Sequence, residues 1–83
     1  MSKKNIEDVV RSSLEAYFRD LRGTEPGNLH DMVVRTVEKP LLEVVMAQSS
    51  QNQSRAAEWL GLNRNTLRKK IRDLDISVVR SIR

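Results

Sequence analysis

Hydrogen-bonding and cationic side chains are concentrated in one short segment of the sequence, residues 52–72. Arg64 can donate two hydrogen bonds to a guanine base, and the amide of Asn63 can either bond a base edge or cap a helix. Residues 50–83 carry eight basic and three acidic residues, a net charge of +5, whereas residues 1–49 carry seven and eight, a net charge of −1. This division favours a scaffold joined to a polyanion-binding unit, although charge alone is equally typical of an ordinary solvated basic face.

Two short helices joined by a tight turn would position these side chains. Ala57 is small enough for a second helix to pack closely, and Gly61, four residues later, suits a turn that needs a left-handed backbone. Leu67 and Ile71 place one apolar stripe on the second helix, facing the first. The pattern predicts a helix-turn-helix over about residues 53–74, with helices at about 53–60 and 64–74. Asn52 or Ser54 is the predicted cap of the first helix, and a helical hairpin that only packs is the alternative.

A recognition helix that begins near residue 64 would enter the DNA major groove with its N-terminal part. We therefore predict that double-stranded DNA is the partner and that Asn63 and Arg64 contact base edges. Asn52 and Ser54 stand at the start of the first helix, where free backbone N–H groups attract phosphate. The side chains of the motif that are predicted to contact phosphates are Asn52, Ser54, Arg55, Thr66, Arg68, Lys69 and Lys70.

Two longer helices precede the motif and make the predicted fold all-α. Apolar residues at spacings of three and four predict a first helix over about residues 6–22, ended by Gly23. Asn28 is the predicted N-cap of a second helix over about residues 29–48. Pro40 falls inside that helix, and we expect one bent helix, with two helices broken at Lys39 as the alternative.

The second helix is apolar on more than one face, which indicates burial on more than one side. A chain of 83 residues has few elements to cover such a helix, and it has no cysteine for disulfides or thiolate metal sites. We therefore expect each chain to fold as a single domain and two chains to form a homodimer. Residues 6–48 would form an intertwined dimer core, residues 53–74 the helix-turn-helix, and residues 75–83 a tail to which the pattern assigns no structure.

Neither catalysis nor a cofactor is predicted. His30 is the only histidine and is expected to be solvated, so no metal site of the usual ligands is expected. Glu38 and Glu43 have no nucleophile or histidine beside them, which favours solvation on a helix surface over acid–base chemistry. Trp59 is predicted to pack or to lie at a dimer surface. No apolar run is long enough for a bilayer or a signal-peptide core, so a cytoplasmic protein is expected.

Four stretches of the sequence together carry a family resemblance. They are Leu14-Glu-Ala-Tyr-Phe18, Val37-Glu-Lys-Pro-Leu-Leu-Glu-Val-Val-Met46, Asn52-Gln-Ser-Arg-Ala-Ala, and Gly61-Leu-Asn-Arg-Asn-Thr-Leu-Arg-Lys-Lys70. From about residue 9 to residue 71 the chain resembles the Fis family (factor for inversion stimulation). The C-terminal DNA-binding domains of NtrC-type bacterial activators share this pattern.

The resemblance implies four helices and a homodimer interlocked through the first two. It implies a bacterial, nucleoid-associated protein that bends DNA and regulates transcription. In the family the two recognition helices lie closer together than adjacent major grooves of straight DNA, so the duplex must bend and its deformability influences the choice of site. Asn63 and Arg64 match the base-contacting pair of the family, and its phosphate-contacting or turn positions are matched by Asn52, Ser54, Arg55, Thr66, Arg68, Lys69 and Lys70.

The chain also departs from the family pattern. The best-known members carry an N-terminal arm that touches a DNA recombinase, whereas this sequence begins almost at the first helix, so a recombinase contact is not expected. Asn65 stands where glycine is often found. Two alternatives remain: a DNA-binding domain of a larger NtrC-type activator, and a helical protein-interaction module whose basic face meets an acidic protein.

We predict that Arg64→Ala weakens DNA binding and relaxes sequence preference, because a bidentate arginine–guanine contact discriminates by about 1–3 kcal/mol. The measurement is a comparison of affinities across duplexes that differ in sequence. An equal loss on all sequences would instead make Arg64 a phosphate contact.

Overall fold

The computed structural model describes residues 3–76, which form four α-helices and no strand. They are α1 (Lys3–Leu21), α2 (Leu29–Gln48), α3 (Gln53–Leu60) and α4 (Arg64–Asp73). The predicted all-α class is confirmed for this part of the chain, and the bounds of α2 and α3 are those expected from the sequence. α1 begins three residues before the predicted start, and α4 ends one residue early.

The tail assigned to residues 75–83 falls partly outside the described residues, which end at residue 76. Its first residues are ordered: the backbone N–H of Ile76 donates to the carbonyl of Ile71 over 3.0 Å. The side chain of Ile76 is also buried. The helix-turn-helix is therefore closed at its C-terminal end by a residue that the sequence pattern left unassigned.

The connection between α1 and α2 corrects one capping prediction. Asn28 does precede α2, but its backbone is left-handed, with φ 56° and ψ 32°, and its side chain accepts no capping hydrogen bond. A capping side chain reaches the first turn of a helix from an extended backbone, which Asn28 lacks. At the other end of the connection, Gly23 has φ 86° just beyond α1, in agreement with its predicted role as a stop.

Pro40 lies within one continuous helix, so the interpretation of α2 as a single element is correct. Proline cannot donate the backbone hydrogen bond that the carbonyl of Thr36 would accept. One turn earlier, the hydroxyl of Thr36 donates to the carbonyl of Met32 over 2.6 Å. Threonine bonds of this kind often accompany helix bending, so the bend at Pro40 remains a prediction with a local mechanism.

The buried core lies around the C-terminal half of the molecule. Seven apolar residues form one cluster: Leu42, Met46, Ala56, Ala57, Leu67, Ile71 and Ile76. α1 contains no buried residue. The Cα radius of gyration is 15.4 Å, against about 12 Å for a compact domain of this length. The buried core therefore joins the helix-turn-helix to the C-terminal half of α2, whereas α1 contributes no buried residue to it.

An open apolar groove of about 340 Å³ separates α1 from α2. It is lined by Val9, Val10, Ser13, Leu14, Tyr17, Met32, Val33, Thr36, Val37 and Pro40. Among residues 3–76, the large apolar side chains that are exposed on these two helices are Ile6, Val9, Phe18, Val34, Val37, Leu41 and Val44, and two of them, Val9 and Val37, line the groove. Two long helices of one chain thus leave seven large apolar side chains 41–59% exposed.

The turn between α2 and α3 holds two consecutive residues in the left-handed conformation. Ser50 has φ 56° and Gln51 has φ 63°, although neither is glycine. The side-chain oxygen of Gln51 is also buried and accepts no hydrogen bond from the described residues. Each left-handed residue other than glycine costs about 1–2 kcal/mol, so Gln51 lowers the stability of this turn.

We predict that Gln51→Gly raises the free energy of unfolding by about 0.5–1 kcal/mol, because relief of the left-handed strain exceeds the added entropy of the unfolded chain. Urea unfolding followed by circular dichroism measures the change. Gln53→Gly is the matched control, since Gln53 is also half-buried but has a helical backbone. The control should lose about 0.5–1 kcal/mol, and an equal loss for Gln51→Gly would refute the prediction.

Candidate nucleic-acid interface

The first helix of the motif is fixed at both ends by local hydrogen bonds. Of the two predicted caps, Asn52 fills the role: its side-chain oxygen accepts from the backbone N–H of Arg55 over 3.0 Å. At the other end, Gly61 has the expected left-handed backbone, with φ 73°. The N–H of Leu62 then donates to the carbonyl of Ala57 over 2.9 Å, which closes the turn.

The start of α4 is organised by Asn63. Its side-chain oxygen accepts from the backbone N–H of Asn65 over 2.7 Å, and its backbone is extended, with φ −68° and ψ 143°. The structure therefore places Asn63 in the capping role, which was one of the two roles its amide could take. The amide nitrogen still has two N–H groups that point to no described partner, so Asn63 remains a donor at this end of α4.

The packing of α4 divides the helix into two faces. Leu67 and Ile71 are buried in the same cluster as Ala56 and Ala57, with Leu60 partly buried beside them, which confirms the predicted apolar contact. The residues on the opposite side are exposed. Small alanine side chains on α3 allow this close approach, and the outer face of α4 is thereby held outward.

The predicted contact residues fall into distinct groups. Arg55, Arg64 and Arg68 are exposed and form no ion pair with any residue from 3 to 76. Ser54, Asn65 and Thr66 are also exposed. An unpaired, solvent-exposed guanidinium keeps all five of its donors. These three arginines are therefore available as cations, and Arg72, which was not among the predicted contacts, is exposed and unpaired within residues 3–76 in the same way.

Lys70, also predicted as a phosphate contact, has an ion-pair partner on another helix. Its Nζ lies 2.9 Å from the carboxylate of Glu38 on α2, and the two side chains are 33% and 24% exposed. The expectation that Glu38 is merely solvated was therefore wrong. The sequence contained a weak signal: Lys70 follows Leu67 by three residues, which places it beside the apolar stripe and near whatever covers that stripe.

The remaining side chains singled out from the sequence are placed as follows. Trp59 is 55% exposed, so within one chain it does not pack as a core residue. His30 and Glu43 are exposed, as expected. No group of three histidine, cysteine or acidic residues comes together between residues 3 and 76. Over the same range, no helix has the length and apolar character needed to cross a membrane.

Residues 33–74 match the family model described as bacterial regulatory protein, Fis family. The chain is 56% identical over 71 residues to a Fis-like DNA-binding protein of Ralstonia nicotianae, which is 86% of this chain and 92% of that protein. It is 42% identical over 72 residues to the DNA-binding protein Fis of Proteus vulgaris, which is 87% of this chain and 77% of that protein.

A longer regulator is also similar to this chain. The DNA-binding transcriptional regulator NtrC of Azospirillum brasilense is 47% identical over 81 residues, which is 96% of this chain but only 17% of that protein. An alignment of this length cannot be confined to the helix-turn-helix. The similarity therefore includes α1 and α2, the helices whose apolar surface is uncovered.

One cation of the outer face is held by a carboxylate. The side chain of Lys69 donates to Asp73 over 3.0 Å, and this hydrogen bond holds the pKa of Asp73 below its ordinary value of 3.8. A carboxyl group with a lowered pKa stays ionised down to more acidic solution. Near neutral pH the carboxylate is ionised, as it would be at its ordinary pKa, and it competes with any phosphate for Lys69.

We predict that Asp73→Asn tightens binding to duplex DNA by about two- to five-fold, because it frees the ammonium of Lys69 from a surface ion pair. A fluorescence titration at fixed salt measures the affinity. Asp75→Asn is the matched control: it removes the same charge from an exposed residue that forms no ion pair with any residue from 3 to 76, and asparagine tolerates the left-handed backbone there. Equal gains for both variants would attribute the effect to net charge alone.

Proposed function

The chain belongs to the Fis family of bacterial regulatory proteins, and on that premise we propose that it binds double-stranded DNA as a homodimer and bends it. The observation that carries the proposal is the outer face of α4. There Arg64 and Arg68 have no ion-pair partner among residues 3–76, while Leu67 and Ile71 fix the helix against the core. A rigid helix with free donors on one face suits the major groove.

The proposed contacts follow from the availability of each side chain. Arg64 would bond guanine, with the free N–H groups of Asn63 beside it. The side chains proposed for phosphate contacts are Asn52, Ser54, Arg55, Thr66, Arg68 and Lys69. Lys70 is not among them, because its ion pair with Glu38 is half-buried, with side chains 33% and 24% exposed, whereas Lys69 is 68% exposed in its pair with Asp73 and can exchange that partner for a phosphate. The amide of Asn52 resembles that of Asn63: its oxygen caps α3 and its N–H groups can donate to a phosphate.

The proposed dimer interface is the apolar surface of α1 and α2. The groove between them, the exposed apolar side chains around it and the absence of any buried residue in α1 all favour coverage by a second copy. A contiguous apolar surface of this kind on a small protein favours association. Residues 1–49 carry a net charge of only −1, so two copies would meet there with little electrostatic repulsion.

Two recognition helices held by one dimer core would sit at a fixed separation. We propose that this separation is shorter than the distance between successive major grooves, so that the duplex bends toward the protein. Such a protein would act in the nucleoid of a bacterial cytoplasm as a sequence-tolerant regulator of transcription. Its site preference would combine the bases beside Arg64 with the ease of bending the DNA.

We predict that the purified chain shifts duplex DNA in a gel and that its affinity falls with salt. Three lysine and arginine phosphate contacts in each protomer give six in the dimer, which corresponds to a log–log slope of about −5. A titration over a salt series measures this slope. If duplex DNA is not shifted even at low salt, the DNA-binding function is rejected in favour of an acidic protein partner.

We predict that sedimentation equilibrium at micromolar concentration gives twice the 9.6 kDa mass of one chain. Val37→Glu should give a monomer and abolish the gel shift, because Val37 is 41% exposed in one chain but lies in the groove that the second copy would cover. Ala47→Glu adds the same charge to an exposed residue of α2 outside the groove and should stay dimeric. A monomeric unmodified chain would refute the dimer.

A further inference from the structure

The ion pair between Lys70 and Glu38 is unlike the other ion pairs of the described residues. It joins two different helices, α4 and α2, over 2.9 Å. Each of the others joins residues three or four apart within one helix: Asp8–Arg11, Asp31–Arg35 and Lys69–Asp73. Pairs within one helix support only that helix, whereas this pair constrains the arrangement of two helices.

Burial also separates this pair from the others. The side chains of Lys70 and Glu38 are 33% and 24% exposed, whereas those in the other three pairs are 45–68% exposed. A partly desolvated ion pair is screened less by water and salt than an exposed one. Removal of either partner leaves an uncompensated charge in a half-buried position, which favours keeping both side chains in place.

The ion pair between Lys70 and Glu38 lies where it can oppose rotation of α4 relative to α2. Glu38 lies one helical turn before Leu42, and Lys70 lies between Leu67 and Ile71, so the pair borders the buried cluster that joins α2 to α4. Apolar contacts are not directional and permit some rotation of one helix on another. A second attachment made between two defined charged atoms opposes that rotation.

We propose that Glu38 and Lys70 form a positioning ion pair that sets the angle of α4 relative to α2. The inference rests on the proposed function, because in a dimer built on α2 this angle determines the separation of the two recognition helices. α4 has ten residues and is about 15 Å long, so a tilt of about 10° displaces its end by about 3 Å. That displacement is close to the ~3.4 Å rise of one base pair, and the pair therefore controls the bend of the DNA.

The proposal assigns Lys70 a different task from a phosphate contact, and the two tasks predict opposite results on charge reversal. As a phosphate contact, Lys70 would lose affinity when replaced by any residue and would lose most when replaced by glutamate. As a positioning residue, it should tolerate glutamate when lysine stands at position 38, because the reversed pair restores the attraction between the helices.

The test compares Glu38→Gln, Lys70→Met and the reversed double variant Glu38→Lys/Lys70→Glu. The bend is measured by energy transfer between dyes at the ends of a duplex of about 30 base pairs, and the salt slope is measured by titration. Each single variant should alter the energy transfer of the bound DNA and weaken binding by about two- to five-fold, with no change in slope. The reversed variant should recover the wild-type bend.

Two controls identify the competing causes. Glu43→Gln removes the same charge from α2 at an exposed residue that has no ion pair within the described part of the chain, and it should leave the bend unchanged. Lys69→Gln removes a proposed phosphate contact from each protomer, and it should reduce the slope by about 2 without altering the bend.

The positioning role is overturned if the reversed variant binds more weakly than Lys70→Met with a reduced slope, or if no variant alters the bend. Failure of the proposed function is distinct, because it would appear as the absence of any shift by the unmodified chain. Circular dichroism of each variant establishes that the helices are retained.

Discussion

Two adjacent alanines set the geometry on which the rest of the described structure depends. Ala56 and Ala57 are 0% and 3% exposed, and their methyl groups allow α3 to lie against both α2 and α4. Larger side chains would push these helices apart, since a packed core accommodates extra volume only by displacing its neighbours. The distance across α3 then determines whether Leu42 can share a core with Leu67, and whether Glu38 can reach Lys70. The orientation of the outer face of α4 follows from this contact.

The position of this core explains why buried residues are unevenly distributed among the helices. The buried residues serve the helix-turn-helix and the C-terminal half of α2, while α1 has none. A chain of 83 residues does not contain enough other elements to cover two long amphipathic helices. The distribution of charge is consistent with this division, because the half with the uncovered apolar surface is nearly neutral and the half with its own core is basic. The proposed self-association and the proposed DNA binding would thereby use different surfaces.

The sequence predicted the helices well because their determinants are local. Apolar spacing and a capping asparagine lie within a few residues of each boundary, so α2 and α3 were located correctly. Asn28 occupies the predicted N-cap position, but its side chain makes no capping hydrogen bond, since residue type does not reveal a left-handed backbone. The left-handed conformation of Gln51 was missed for the same reason. Glu38 and Lys70 are 32 positions apart, and only the packing of α4 near α2 brings them together. The DNA-contact residues stay predictions, although the free arginines support them.

The hydrogen bond that the side chain of Asn63 already makes within the protein limits the contacts that this side chain can make to DNA bases. An asparagine that recognises adenine uses both its oxygen and its nitrogen, but the oxygen of Asn63 is committed to the N–H of Asn65. The oxygen keeps a second lone pair, but the capping bond fixes the orientation of the amide, and an orientation that suits adenine only by breaking the cap would cost about 1 kcal/mol. Arg64 has no such commitment among the described residues and keeps its full set of donors. In the proposed complex, direct base recognition therefore depends mainly on arginine and guanine, and the rest of the specificity must come from the energy of bending the duplex. The angle between α2 and α4 thus becomes as important to site choice as any side chain in the groove.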